Sequence, residues 1–395
     1  MHVTIRLAPL WLLAAPDTTI VLVRVGINAR LLASPDIRGF NRYTAELVRA
    51  LAATGRVDLV LFSDAPIHRR HGLDALPAVV GPVRPQLRWQ HGWLPGALKA
   101  ERIELFHAPA HWGVPWRSAC PVVVTIHDVA DRELPALQPP TSVVAALRHE
   151  GEQWLAVRRA RRIIAVSEWT ARSVSRHLGV APERIAVTVE GAAPAFDAPP
   201  PPADIVAARE AFGLRGPYFV YAGGFDARKN LEALVAALAE MTEERRITIA
   251  LVGSGAAGED AARLRRAAAG RGVQRWLRFL GGVDDVTLAA LYAGAVAVVL
   301  PSWLEGFGLP VVEAMHVGTP AVVSGAGSLP EITGEAGLVF APENPSMLAD
   351  ALLRLAEDAA LREALAVKAR ARAPLFSWSR AAEQTLEVYR SALAG

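Results

Sequence analysis

Two acids and the residues between them are the first candidates for chemistry. In segment 301–316, PSWLEGFGLPVVEAMH, seven residues separate Glu305 from Glu313, and Gly306, Gly308 and Pro310 lie in that interval. Glycine lets a backbone approach a ligand closely, and proline suits the first turn of a helix. A helix beginning near Pro310 would turn its free amides toward whatever lies above the preceding strand, which suits a pyrophosphate. Glu313, inside the first turns, can accept from a vicinal diol such as a ribose, and Glu305, in the loop before it, can accept from sugar hydroxyls. An isolated pair would more readily be a helix-associated acid and a solvated loop acid. The glycines, the proline and the position directly after an apolar strand ending at Leu300 favour the ligand-binding reading.

Such residues need strands to end on. Short β-branched runs at 20–27, 59–62, 103–107, 122–126, 163–167 and 185–189 alternate with helical patterns, and a second series follows at 218–223, 247–252, 277–280, 296–300, 320–324 and 337–340. Near-continuous apolar strands predict parallel sheets covered on both faces. Leu231, Leu234, Val235 and Leu238 have the spacing of a helix stripe laid on a sheet. The pattern predicts an α/β protein of two doubly wound, Rossmann-like domains facing each other across a cleft, one substrate per domain. The expected boundaries are an N-terminal extension outside the fold at 1–20, a first domain at 21–195 and a linker at 196–215. A second domain follows at 216–373, then a last helix at 374–395 expected to return to the first domain. The proline-rich run 194–202, PAFDAPPPP, predicts a stiff, extended connector. The apolar stretch 7–15 looks something like a secretory signal, but its charged region is thin and the first strand follows at once.

Composition narrows the class. The chain has 395 residues, 52% hydrophobic and 21% charged, which excludes disordered, collagenous and disulfide-stapled proteins. Cys120 is the only cysteine, so no internal bridge is possible and a cytoplasmic location fits. No apolar run reaches the ~20 residues a membrane-crossing helix needs. The net charge of +3 divides into +7 for residues 1–195 and −4 for the remainder. The basic half suggests an anionic acceptor or a negatively charged leaflet, hence weak peripheral contact with the inner face of the cell membrane at low salt. The basic-aromatic run with Arg84, Arg88, Trp89, His91, Trp93 and Lys99 reads as core around its tryptophans, and no nucleic acid partner is expected. Arg158, Arg159, Arg161 and Arg162 precede a strand and read as a solvated face, with a membrane or acceptor contact as the alternative. His68 and His71 alone supply too few ligands for a metal.

Together these motifs resemble the retaining GT-B glycosyltransferases, in particular family 4. The resemblance rests on E-x7-E at Glu305 and Glu313, on PYFVYAGGFDARKNL at 217–231 and on GTPAVVSGAGSLPE at 318–331. GINARLL and RGFNRYTAELVRAL within 26–51, HAP at 107–109, TIHD at 125–128 and AVSEWTARSV at 165–174 also fit. It implies a hexosyltransferase that uses a nucleotide-diphosphate sugar as donor substrate, with no cofactor and no metal, and an acceptor left open among glycans, lipid-linked sugars and small molecules. It also implies roles residue by residue. Lys229 and the adjacent Arg228 would bind the donor diphosphate, with the amides of Gly308 and Leu309 completing the cradle beside Gly306 and Phe307. Glu313 would hold the ribose, Glu305 the transferred sugar, and His127 the sugar near the reacting carbon. Gly39 would let the backbone approach donor or acceptor. Two positions depart from the family pattern: Gly224 stands where many members carry arginine, and Glu190-Gly191 where asparagine-glycine is usual. A sugar phosphorylase, a nucleotide-sugar epimerase or an inactive binding homologue would share the architecture, and Gly224 is the residue that points to the last.

Overall fold

The structure, a computed structural model, describes residues 22–36, 39–83, 85–137 and 142–395. The segment 1–20, read from the sequence as an extension, lies outside them. The first unit is a parallel sheet of β1 (Val23–Asn28), β2 (Val57–Ser63), β3 (Ala78–Val80), β4 (Leu105–Ala108), β5 (Val122–Ile126), β6 (Ala160–Ala165) and β7 (Ile185–Val187), in the order β3-β2-β1-β4-β5-β6-β7. The second holds β8 (Tyr218–Ala222), β9 (Thr248–Val252), β10 (Leu277–Gly281), β11 (Ala297–Leu300), β12 (Ala321–Ser324) and β13 (Gly337–Phe340), in the order β10-β9-β8-β11-β12-β13. The strands are apolar throughout because helices cover both faces. In β2, Leu59 and Leu61 enter one core and Val60 and Phe62 another. The strand order reverses direction between β1 and β4 and between β8 and β11, so each sheet opens a crevice at the carboxyl ends of those strands.

The helices that bear on function are α1 (Phe40–Ala53), α2 (Val143–Arg159), α3 (Glu168–Leu178), α4 (Asp285–Ala293), α5 (Leu309–His316), α6 (Leu329–Thr333) and α7 (Trp378–Ala394). The Ser377 side chain caps α7 by accepting from the Arg380 amide. α7 lies on α1, β5 and β6 of the first unit, and the Tyr389 hydroxyl meets Nδ1 of His107 at 2.8 Å. One apolar cluster runs from Val25 and Leu51 in the first unit, through Trp378 and Leu386 of α7, to Val311 and Leu300 in the second.

Three details differ from the sequence reading. β3 has no counterpart in it: the strand is three residues long, half exposed, and pairs with β2 alone, so it lacks the apolar run that marks a buried strand. Arg161 and Arg162 lie inside β6 rather than before it. Ala160 at its start is buried while Arg161 is exposed, and the Arg162 guanidinium donates to the Glu183 carbonyl. The proline run is not extended throughout. Pro194–Phe196 makes a turn that buries Phe196 against Tyr292, and Pro202 opens a helix, Pro202–Ala211, inside the segment read as linker. Proline is tolerated at a helix start because its missing N–H would have no partner there. Trp89 is fully buried beside Trp93.

Candidate active site

The two crevices face each other and form one cleft of about 390 Å³. Every residue singled out from the sequence lines it: Gly39, His127, Arg228, Lys229, Glu305, Gly306, Phe307, Gly308, Leu309 and Glu313. Glu190 and Gly224, the two departures, line it as well.

On the second unit, the loop after β11 turns into α5 at Gly308, whose φ of +111° only glycine adopts readily. A side chain there would also strike Leu329. The amides of Gly308 and Leu309 lie at the positive end of the α5 dipole, ahead of Val311, whose amide donates to the Gly308 carbonyl at 2.9 Å, so this end of the cleft suits an anion. Lys229 and Arg228 reach the cleft from a turn, Ala227–Lys229, that follows β8. Lys229 Nζ donates to Glu305 Oε1 at 2.7 Å, Ser302 Oγ to the same oxygen at 2.6 Å, and Arg228 Nη1 contacts Glu305 Oε2 at 3.3 Å. Burial would raise the Glu305 carboxyl, but Lys229 and Arg228 outweigh it and hold it at about 2. Nε of Arg228 is buried 3.9 Å from Asp226 and has no hydrogen-bond partner among the described residues. A buried donor left unpaired is costly, and an anion in the cleft would relieve it.

Glu313 is buried one turn into α5, where the Tyr292 hydroxyl donates to it at 3.2 Å. Its other neighbour comes from the opposite unit. Arg42, on the first turn of α1, lies 3.9 Å from Glu313 and 2.5 Å from Asp285 of α4. Burial works against the Arg42 charge, but Glu313 and Asp285 overcome it and raise its proton affinity. Arg42 stands inside the stretch RGFNRYTAELVRAL yet received no role from the sequence, since nothing in one helix shows which acids lie across the cleft.

On the first unit, His127 follows β5 with its ring wedged between Phe40 and Tyr43, 4.7 and 4.5 Å away edge-on. Nε2 meets the Pro109 carbonyl at 3.0 Å and Nδ1 meets the Glu190 carboxyl at 3.2 Å. A carbonyl only accepts, so the ring donates through Nε2, and Nδ1 faces the Glu190 carboxyl. Glu190, a departure from the resemblance, is therefore the group that orients this ring.

The two units close on Gly306. Its carbonyl accepts from Ser167 Oγ at 2.7 Å and Thr170 Oγ1 at 3.1 Å, and a β-carbon on Gly306 would lie 1.8 Å from the His127 carbonyl oxygen. Nearby, the Glu331 carboxyl of α6 accepts from the amides of Glu168 and Trp169 at the start of α3, at 2.9 and 3.0 Å. Among the described residues no three His, Cys, Asp or Glu side chains gather as a metal site.

Residues 205–372 match the family described as Glycosyl transferases group 1, and residues 37–196 match Glycosyltransferase Family 4. The O-antigen chain mannosyltransferase B of Escherichia coli is 29% identical over 377 residues, covering 90% of this chain and 96% of that protein. The D-inositol 3-phosphate glycosyltransferase of Actinosynnema mirum is 31% identical over 90% of this chain and 93% of its own length. In fold, the chain is similar to Anabaena HepE, solved in complex with UDP and glucose. The TM-score is 0.75 at 22% identity, over 93% of this chain and all of that one.

Proposed function

The chain belongs to the group 1 glycosyl transferases and has the GT-B fold, and on that premise we propose that it transfers a sugar from a nucleotide-diphosphate sugar to an acceptor hydroxyl with retention at the anomeric carbon. The observation that carries this reading is the convergence of Lys229, Arg228 and the start of α5 on one wall of the cleft, with Glu313 one turn deeper. In this reading the donor diphosphate lies against the amides of Gly308 and Leu309, and the two cations share their charge between Glu305 and the phosphates. Arg228, whose Nε has no hydrogen-bond partner among the described residues, stands in for the cation missing at Gly224. Glu313 accepts from the ribose hydroxyls and Glu305 from the transferred sugar. His127, fixed by Glu190, closes the cleft over the anomeric carbon, and Gly39 leaves room at the first-unit wall.

The reaction breaks the bond between the anomeric carbon and the diphosphate oxygen and forms one from that carbon to the acceptor oxygen on the same face. The acceptor's proton passes to the departing phosphate. Charge builds on the diphosphate as the bond breaks, and fixed cations and helix amides are the groups that stabilise it without reorganising. No side-chain nucleophile is required.

A panel of nucleotide-sugars and acceptors, read by nucleotide release and by the anomeric configuration of the product, tests this reading. Glu305→Ala and His127→Ala are each expected to lower turnover at least about a hundredfold. Unchanged transfer in both would remove the site assignment, and an inverted product would remove the mechanism.

A further inference from the structure

Helix α2 sets Leu155 and Ala156 in the core of its unit but leaves a second apolar face uncovered. It buries Glu152 and Gln153 and turns Val143, Val144, Leu147 and Trp154 to solvent, 54 to 75% exposed. The buried polar pair bonds within its own unit: Gln90 donates to Glu152 at 3.0 Å, and Gln153 donates to Asp131 at 3.1 Å. The outward face is therefore not a packing accident that a small rotation would correct, because rotating the helix would break these bonds. Trp116, 56% exposed, extends the apolar face, its ring centre 6.0 Å from that of Trp154.

The charges around this face have one sign. Arg148, Arg158 and Arg159 lie along the same side of α2, and Arg117 is next to Trp116; all four are exposed, and none has an acidic partner among the described residues. The one acid on the exposed stripe, Glu150, is tied to Arg132 at 3.2 Å. The Arg158 guanidinium sits 5.8 Å from the centre of the Trp154 ring, which puts a cation at the rim of the apolar surface. Exposed tryptophan and aliphatic side chains rimmed by unpaired arginines match the boundary of an anionic bilayer, where rings rest at headgroup depth and guanidinium groups meet phosphates. A protein partner of ordinary composition would not need cations alone at its rim.

We propose that the outward face of α2, with Trp116, is the surface by which this enzyme docks on an anionic lipid bilayer. The face lies outside the cleft but opens toward it. Val144, Ala145 and Arg148 share a hollow with Trp112, whose ring packs edge-on against Phe40 of the cleft wall at 5.0 Å.

The test is co-sedimentation of the full chain with vesicles of phosphatidylglycerol and phosphatidylcholine, against phosphatidylcholine alone, at low and high salt. The wild type is expected to pellet with the anionic vesicles at low salt only. Leu147→Ser/Trp154→Ser and Arg148→Glu/Arg158→Glu are each expected to cut the bound fraction roughly tenfold or more with unchanged melting temperatures, since these side chains are exposed. A wild type that stays in the supernatant overturns the proposal, as do two double variants that pellet like the wild type. So does an oligomer in light scattering that Leu147→Ser/Trp154→Ser dissolves, which would assign the face to a second copy. Vesicle binding is read without turnover, so its failure leaves the transfer reaction untouched.

Discussion

Arg42 shows how much a single residue can carry when two acids from another unit depend on it. Replacing it with leucine removes the 3.9 Å contact to Glu313 and the ion pair to Asp285, and breaking a buried pair from one side costs about 3 kcal/mol. Arg42→Leu is expected to lower the unfolding midpoint in urea and to weaken nucleotide binding in calorimetry, because the link between α1 and the Glu313 and Asp285 side of the cleft is then lost. Arg42→Lys should recover part of both. The roles proposed for Glu305 and Glu313 were read from residue types at a spacing, and that of Lys229 from the family resemblance. The contacts of Arg42 and Glu190 could not be read there, because each meets a partner from a different element: Arg42 acids 243 and 271 positions away, Glu190 a histidine 63 positions away.

Among the elements, α7 is held to the first sheet through a neutral, buried histidine. His107 of β4 meets the Tyr389 hydroxyl of α7 at 2.8 Å and the Thr125 hydroxyl of β5 at 2.9 Å. Burial, with His127 nearby, pushes its proton affinity down to about 3 from the usual 6.5, and His111 is lowered to about 3 by burial and His149. With both folded values below the unfolded one, the neutral rings stabilise the fold fully above about pH 6.5, and this is lost as the pH falls toward 3. Urea midpoints are expected to drop steadily across that window. His107→Gln, which keeps hydrogen-bonding groups but does not titrate, should reduce the slope by about 1.4 kcal/mol per pH unit. The elements themselves were largely readable. Twelve of the thirteen strands among the described residues announce themselves as apolar runs, since a strand covered on both faces has little freedom in composition. The edge strand β3 is bound by no such rule. The helix Pro202–Ala211 was hidden because proline marks both a break and a start, and only the packing of the residues after it distinguishes them.

At the scale of the whole molecule, two clasps join the units besides the Arg42 pairs: Glu331 on the start of α3, and the Gly306 carbonyl under Ser167 and Thr170. Gly306→Ala would drive a methyl into the His127 carbonyl and wedge the cleft open. It is expected to enlarge the radius of gyration in small-angle X-ray scattering and to lower turnover at least about tenfold, whereas Glu331→Gln, which keeps an acceptor, should do neither. The chain also crosses between the units twice, near the proline run and again before α7. The unit that leaves the ribosome first is therefore the last to be finished. The apolar flank formed by α1, β5 and β6 stays open while the whole second sheet is translated, and it is covered only when the final seventeen-residue helix emerges. A chain truncated ahead of Trp378 would keep both sheets and every residue of the cleft, yet it would be released with that flank bare, as a substrate for chaperones and proteases.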